Sequence, residues 1–242
     1  SAIAKHVGRQ YCCAVGSGSA ALHIALLSLG VGQGDEVITT SLSWIATANS
    51  IALSGATPVF ADIDESLNLN PESVRRLITS KTKAVLAVDY TGKLADYKSL
   101  MEICSSHGIA LLEDGSQAFG SMRDGKPCGA FGVISAISHN PMKVFAGTGE
   151  AGSILVDDPG LKAKLDILRY NGTKNKEHLV TPSINGRMDT IQAAVLKYRL
   201  PLVENIIKKR TENAAIYMKR LAKSEINLPE VDPNEVHAFY TF

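Results

Sequence analysis

The residues of this chain that could do chemistry stand just beyond apolar, strand-like runs. Lys143 lies in the stretch ISHNPMKVFAGTGEAGSILV, after a run that ends at Ser138 and before a bend with Gly147, Gly149 and Gly152. The amine of a desolvated lysine forms Schiff bases with carbonyl compounds. Most loop lysines are solvated charges, however, so this position alone does not establish a reactive group.

Two further runs end in residues that could face a ligand. The run IALLED ends in Glu113 and Asp114, and alternation along a strand lets only one of these carboxylates face the ligand edge. Gln117 would share a face with Asp114 if a helical turn follows. Trp44, the only tryptophan, follows VITT. A strand-end acid is often only a turn former, and a lone tryptophan is more often core than a ligand platform.

The stretch GSGSAAL predicts a helix that begins near Ser19. Free amides and the dipole at such a helix N-terminus can bind phosphate, but Ser19 could equally be an N-cap after a tight turn. Gly16, Gly18 and Ala21 also fit a relaxed dinucleotide fingerprint. That fingerprint needs an acidic residue at the end of the second strand, which here ends in Thr39-Thr40-Ser41, so we reject it.

Strand-like and helix-like segments alternate through most of the chain, which predicts parallel βαβ units. In such a sheet, ligands bind beyond the carboxyl ends of the strands, where the residues above lie. After Asp157 the pattern predicts a helix, a loop over residues 172–186, and a second helix that Pro201 kinks or breaks. Both ends look cut, and EVHAFYTF is typical of a strand that has just begun.

Composition excludes several other classes. Apolar residues make up 45% and charged residues 20%, as in ordinary globular proteins. A net charge of +1 gives no case for nucleic acid or an acidic membrane surface. The four cysteines and six histidines show no metal-ligand spacing, so we expect no metal, free thiols and a cytoplasmic location.

A phosphate-binding helix end, an aromatic ring, a carboxylate and a lysine are together what pyridoxal 5'-phosphate (PLP) needs. Six motifs follow one another along the chain: GSGSAALHIAL, SWIATANSIALSGATPVFADID, LLEDGSQAFGS, SHNPMK, GEAGSI and NGRMDTIQAAVL. Through these motifs the chain resembles the DegT/DnrJ/EryC1/StrS family of PLP-dependent sugar aminotransferases. The resemblance implies an α/β fold of the aspartate-aminotransferase type (PLP fold type I), with a mostly parallel seven-stranded sheet between helices. It implies a PLP-binding large domain over residues 1–200. Residues 201–242 would form a linker helix and the start of a truncated C-terminal small domain, which is largely missing.

The same resemblance implies roles for the residues around the cofactor ring. Lys143 would bind the cofactor covalently and then move a proton between substrate and cofactor. Asp114 would pair with the pyridine nitrogen, and Gln117 would contact the side of the 3-hydroxyl. Trp44 would stack on the ring. The glycines after Lys143 would supply unusual backbone angles that turn the lysine over the sheet edge.

The resemblance also implies how the phosphate is held. Ser19, the amide of Ala20 and the hydroxyl of Ser138 would bind it from one subunit. Asn185, in NGRMDT, would reach it from the neighbouring subunit, which implies a homodimer with shared active sites.

The implied reaction is transfer of an amino group, with glutamate as the expected donor, to a nucleotide-linked keto sugar in amino-sugar or polysaccharide biosynthesis. Family members with histidine at the lysine position are sugar dehydratases, but here Lys143 holds that position and His139 comes four residues earlier. A dehydratase and a non-catalytic relative on the same scaffold remain the alternatives. No nucleic-acid or membrane partner is expected.

Overall fold

The computed structural model describes residues 1–242 as alternating strands and helices around one large sheet. The strands are β1 (Tyr11–Val15), β2 (Glu36–Thr40), β3 (Thr57–Ala61), β4 (Thr82–Val88), β5 (Ala110–Asp114), β6 (Met122–Arg123), β7 (Lys126–Pro127), β8 (Ile134–Ser138), β9 (Gly152–Val156), β10 (Thr173–Lys174), β11 (His178–Leu179) and β12 (Glu235–Val236). The helices are α1 (Ala2–Val7), α2 (Gly18–Ser28), α3 (Ala46–Leu53), α4 (Pro71–Leu77), α5 (Tyr97–His107), α6 (Pro159–Arg169), α7 (Thr190–Arg199) and α8 (Val203–Leu221).

The main sheet has seven strands in the order β1-β9-β8-β5-β4-β2-β3. Strands β8, β5, β4, β2 and β3 pair in parallel, whereas β9 is antiparallel to both of its neighbours. The predicted mostly parallel, seven-stranded sheet is therefore confirmed. Because parallel strands end at one edge, β4, β5 and β8 deliver their last residues to the same side of the molecule.

Both faces of this sheet are buried, as parallel sheets require. Along β4, Val85 and Ala87 pack on one side with α1, α4 and α5, while Ala84 and Leu86 pack on the other with α2, α3 and α6. The layer arrangement thus follows from alternation along apolar strands. No helix is both long and apolar enough to cross a bilayer.

The helix signals are largely confirmed. Asn70 caps α4 by accepting the amides of Glu72 and Ser73, with Pro71 at the first helical position. Pro201 lies in a 3₁₀ turn, residues 200–202, that separates α7 from α8, as predicted. All four cysteines are free thiols, also as predicted.

The carboxyl-terminal regions differ from the sequence-based prediction. Residues 172–186, expected to be a loop, contain the β10–β11 hairpin. Within EVHAFYTF only Glu235 and Val236 form a strand, β12, which pairs with β6 in a separate three-stranded sheet. The residues after β12 instead run along the 3₁₀ turn of residues 90–92, where Ala238 and Phe239 are buried.

Candidate active site

A cavity of about 710 Å³ opens at the carboxyl ends of β4, β5 and β8. Asp114 and Ser138 are the last residues of their strands, and Lys143 follows in the loop after β8. Six of the eight predicted site residues line this one cavity, which brings together groups from four separate stretches of sequence. They are Ser19, Trp44, Asp114, Gln117, Ser138 and Lys143.

The N-terminus of α2 forms one wall of the cavity. Ser17, not Ser19, is the N-cap, because its Oγ accepts the amide of Ala20 at 3.0 Å. The side chain of Ser19 is therefore not needed for capping. Ala20 does not line the cavity, and its amide is already paired with Ser17.

Helix α2 approaches β8 unusually closely at Gly18. A Cβ added to Gly18 would lie 2.6 Å from Cβ and 3.0 Å from Oγ of Ser138. Glycine is required here by this close approach, since Gly18 is not in the left-handed region. The contact sets the helix N-terminus directly beside the Ser138 hydroxyl, so both can face one anion.

Asp114 is a buried carboxylate without an ion-pair partner. Its Oδ1 accepts the amide of Ser116 at 3.2 Å, and its Oδ2 accepts the hydroxyl of Thr47 at 3.1 Å. Burial raises the pKa of Asp114, while the hydrogen bonds and the positive charge of Lys143 act in the opposite direction. A cationic N–H donor in the cavity would stabilise the ionised carboxylate.

Glu113 faces the opposite side of the sheet, as strand alternation predicted. Its carboxylate accepts the amides of Gly129 and Phe131 and the hydroxyl of Ser135. Burial raises the pKa of Glu113. These partners give Glu113 a structural role behind the site.

Lys143 is half buried and lies at the end of a turn in which its amide donates to the carbonyl of Asn140. Its Nζ lies 4.6 Å from the centroid of the Tyr240 ring. Lys143 makes no ion pair with a carboxylate. The only lysine of the cavity thus has a free amine that points into it.

The prediction that the glycines after Lys143 supply unusual backbone angles is wrong. None of Gly147, Gly149 and Gly152 has a positive φ. A Cβ on Gly147 or Gly149 would instead lie 2.7 or 2.8 Å from the side-chain amide of Gln192 on α7, and one on Gly152 would collide with the carbonyl of Ser17. The glycines let α7 and the α2 turn pack against the lysine loop.

Gln117 is held in one orientation. Its Oε1 accepts the amide of Thr91 at 2.9 Å, so the NH₂ group is the end left to donate to a ligand. Thr91 itself has a positive φ of 59°, an uncommon value for a β-branched residue. This backbone conformation aims its N–H at Gln117.

Trp44 and Asn185 lie at the surface of the single chain. The side chain of Trp44 is 72% exposed, so the alternative that it belongs to the core is wrong. Asn185 is exposed and does not line the cavity. Its Oδ1 accepts Nε of Arg187 at 2.9 Å, which leaves its NH₂ group free to donate.

His139 is fully buried and turned away from the cavity. Its Nδ1 lies 3.1 Å from the carbonyl of Phe145, which can only accept, so Nδ1 carries the proton and Nε2 accepts the hydroxyl of Ser153 at 2.8 Å. Burial lowers the pKa of His139 to about 4. Both ring nitrogens are therefore committed to the core.

Sequence reasoning missed several residues of the cavity. The Ser43 hydroxyl lies 2.8 Å from that of Thr47, which in turn donates to Asp114. Tyr90 follows β4 closely and could have been found by the strand-end rule that located Asp114. No local signal marks Tyr240 and Thr241, because the chain returns to the cavity there from a distant segment.

Comparison with known proteins agrees with this fold and cavity. The DegT/DnrJ/EryC1/StrS aminotransferase family matches residues 1–242. The crystal structure of DesV from S. venezuelae, in complex with a ketimine intermediate, superposes with a TM-score of 0.95 at 35% identity, covering 99% of this chain and 65% of DesV. The predicted aspartate-aminotransferase type of fold is confirmed.

Two similar proteins carry different functional names, one regulatory and one enzymatic. The pleiotropic regulatory protein of Geobacillus stearothermophilus is 39% identical over 93% of this chain and 60% of its own length. The UDP-2-acetamido-2-deoxy-3-oxo-D-glucuronate aminotransferase of Pseudomonas aeruginosa is 36% identical over 99% of this chain and 67% of its own length. The chain thus spans about 60–67% of these relatives. It belongs to the DegT/DnrJ/EryC1/StrS aminotransferase family.

Proposed function

We propose that this chain carries the PLP site of a sugar aminotransferase, which transfers an amino group from glutamate to a nucleotide-linked keto sugar. The observation that carries the proposal is the meeting of Lys143 and the buried, unpaired Asp114 in one cavity. Relatives named as aminotransferases of UDP- and dTDP-linked sugars support the substrate class.

The donor set fits PLP at three separate points. The α2 N-terminus and the Ser138 hydroxyl suit a phosphate, and the closeness that brings them together depends on glycine at position 18. Asp114 suits a protonated pyridine nitrogen, because an ion pair would lower the cost of burying its charge. The amide donor end of Gln117 suits an oxygen on the ring.

When bound, PLP supplies an electron sink that stabilises negative charge on the carbon attached to the amino group. Lys143 would hold the cofactor through Nζ and, once displaced, would move a proton from the substrate carbon to the cofactor carbon. Asp114 would keep the ring nitrogen protonated. Thr47 and Ser116 hold the Asp114 carboxylate in place for that task.

The test is an absorbance spectrum of the protein with PLP, before and after glutamate. Wild type should show a visible band of lysine-bound cofactor that glutamate discharges, and Lys143→Ala should show no such band because the amine is gone. Lys98→Ala, which removes an exposed lysine on α5, is the matched control and should behave as wild type. A Lys143→Ala protein that still gives the band and turns over would overturn the proposal.

The same spectrum decides between the alternatives. A band that glutamate leaves unchanged would favour the dehydratase or a non-catalytic relative, a possibility kept open by the regulatory name of the Geobacillus relative. The geometry disfavours histidine chemistry, because both nitrogens of His139 are bonded in the core.

The remaining expectations also belong to this proposal. Asn185 lies outside the cavity of its own chain with a free amide donor, which supports a role in a neighbouring subunit and hence a homodimer. The division into a large domain over residues 1–200 and a linker helix with the start of a small domain over 201–242 stays a prediction. So do the phosphate contact of the Ala20 amide, the stacking of Trp44 and the cytoplasmic location.

A further inference from the structure

The aromatic contact of Lys143 comes from the last residues of the chain. Tyr240 is half buried, lines the cavity together with Thr241, and presents its ring to Nζ of Lys143 at 4.6 Å. Nζ makes no ion pair, so its charge lies against this ring face and also interacts at longer range with the buried Asp114 carboxylate. The contact is confined to the charged form, because a neutral amine has little attraction to the ring quadrupole.

Tyr240 is not on a free arm. Its amide donates to the carbonyl of Thr91 at 2.9 Å, and the amide of Ala238 donates to the carbonyl of Gly92 at 3.1 Å. Arg210 on α8 donates to the carbonyl of Phe239 at 2.8 Å. Gly92 has a φ of +98°, and a Cβ there would lie only 3.0 Å from the Tyr240 amide, so the two backbones meet at close range.

The turn that holds Tyr240 also orients Gln117. Thr91 accepts the Tyr240 amide through its carbonyl and donates its own amide to Gln117. Two residues of the cavity, Tyr240 through its backbone amide and Gln117 through its side chain, are therefore bonded to one residue with a positive φ. A shift of the Tyr240 segment would therefore change both the ring contact of Lys143 and the hydrogen bond that orients Gln117.

We propose that Tyr240 is a positioning residue for Lys143. Its ring face keeps the charged amine inside the cavity whenever that amine is not bonded to the cofactor. This rests on the proposed role of Lys143, which must be released and recaptured within one site during each transfer. Tyr240 and Thr241 of the last segment then form one side of the active site.

The test measures the reactivity of Lys143 in cofactor-free protein. An acetylating reagent attacks only the neutral, accessible amine, and mass spectrometry reports acetylation of Lys143 relative to exposed Lys98 in the same sample. Tyr240→Leu removes the ring, so the Lys143-to-Lys98 ratio should rise about two- to five-fold. Tyr240→Phe keeps the ring and should match wild type.

Tyr217→Leu is the matched control, because Tyr217 stacks on Phe242 of the same segment and its ring does not face Lys143. It should leave the ratio unchanged. An unchanged ratio in Tyr240→Leu, or an equal rise in Tyr240→Phe, would overturn the proposal. If Tyr240→Leu does not melt cooperatively, Tyr240→Met takes its place with the same expected rise. No step uses PLP, so a failed PLP spectrum would count against the proposed function and not against this result.

Discussion

Substitution of Gly18 by alanine should disrupt the contact between α2 and β8. The added Cβ would lie 2.6 Å from Cβ, 3.0 Å from Oγ and 3.2 Å from Cα of Ser138. Carbon atoms pack at about 3.5–4.0 Å, so the helix must move by about 1 Å. Ser138 cannot move instead, because it is the last residue of a strand that pairs with Gly152 in the middle of the sheet.

The expected cost follows from overpacking, which is typically about 1–3 kcal/mol. In a chain of this size each kcal/mol lowers the melting temperature by about 2–4 °C, so Gly18→Ala should melt several degrees below wild type. The same movement displaces the helix N-terminus from the Ser138 hydroxyl. Because the two groups would then no longer face one anion at close range, PLP affinity should fall as well.

Gly32→Ala is the matched control for this experiment. A Cβ on Gly32 would meet only the carbonyl of Ser54 at 3.9 Å, an ordinary contact. Its melting temperature should equal that of wild type or slightly exceed it, since alanine restricts the unfolded chain. If Gly18→Ala melts and binds PLP as Gly32→Ala does, the close approach of α2 and β8 does not build the phosphate site.

Two further predictions concern Asp114 and His139. Thr47→Val removes the hydroxyl donated to Asp114 Oδ2. A hydrogen bond to a charged group contributes about 1.5–3 kcal/mol to folding stability. At about 2–4 °C per kcal/mol, the melting temperature should fall by about 3–12 °C, and an unchanged value would contradict the role of Thr47. Burial lowers the pKa of His139 from 6.5 to about 4. As the pH falls, the histidine is therefore protonated in the unfolded chain before it is protonated in the folded protein, and the free energy of unfolding decreases from about pH 6.5 to pH 4. At pH 5 the loss in the free energy of unfolding is roughly 2 kcal/mol. The melting temperature of wild type should therefore drop by about 4–8 °C more between pH 7.5 and pH 5 than that of His139→Gln. Equal drops in the two proteins would refute the lowered pKa of His139.

The fold was predictable because its signals are local. Continuous apolar runs such as KAVLAVD predict strands buried on both faces, and Asn70-Pro71 marks a helix start through an N-cap and a fixed φ. Strand alternation also correctly predicted that only one of Glu113 and Asp114 faces the cavity, which is Asp114. The short hairpin of β10 and β11 was missed because two-residue strands carry no periodic pattern.

The site was only partly predictable, because some of its residues are marked by the local sequence and others depend on contacts with distant segments. Asp114 ends a strand and Lys143 follows one, so the rule that ligands bind at strand ends singled them out from the sequence, whereas the role of Ser138 came only from the family resemblance. The reason for the glycines was misjudged, because the atoms that exclude a Cβ belong to Gln192 and Ser17, on other segments. Local sequence shows that a residue lacks a side chain, but it does not show which neighbour needs the space.

Tyr240 is a cavity residue whose position could not be predicted from the local sequence. Its segment has the composition of a strand, yet its backbone pairs with the 3₁₀ turn at Thr91 and Gly92 and with no strand of the main sheet. That pairing depends on a positive φ at both turn residues, which no periodic pattern encodes. The strand ends place the reactive groups, and segments distant in sequence, such as the one that carries Tyr240, determine how those groups are held. Substitutions in such segments should therefore alter the reactivity of Lys143 while the groups at the strand ends stay in place.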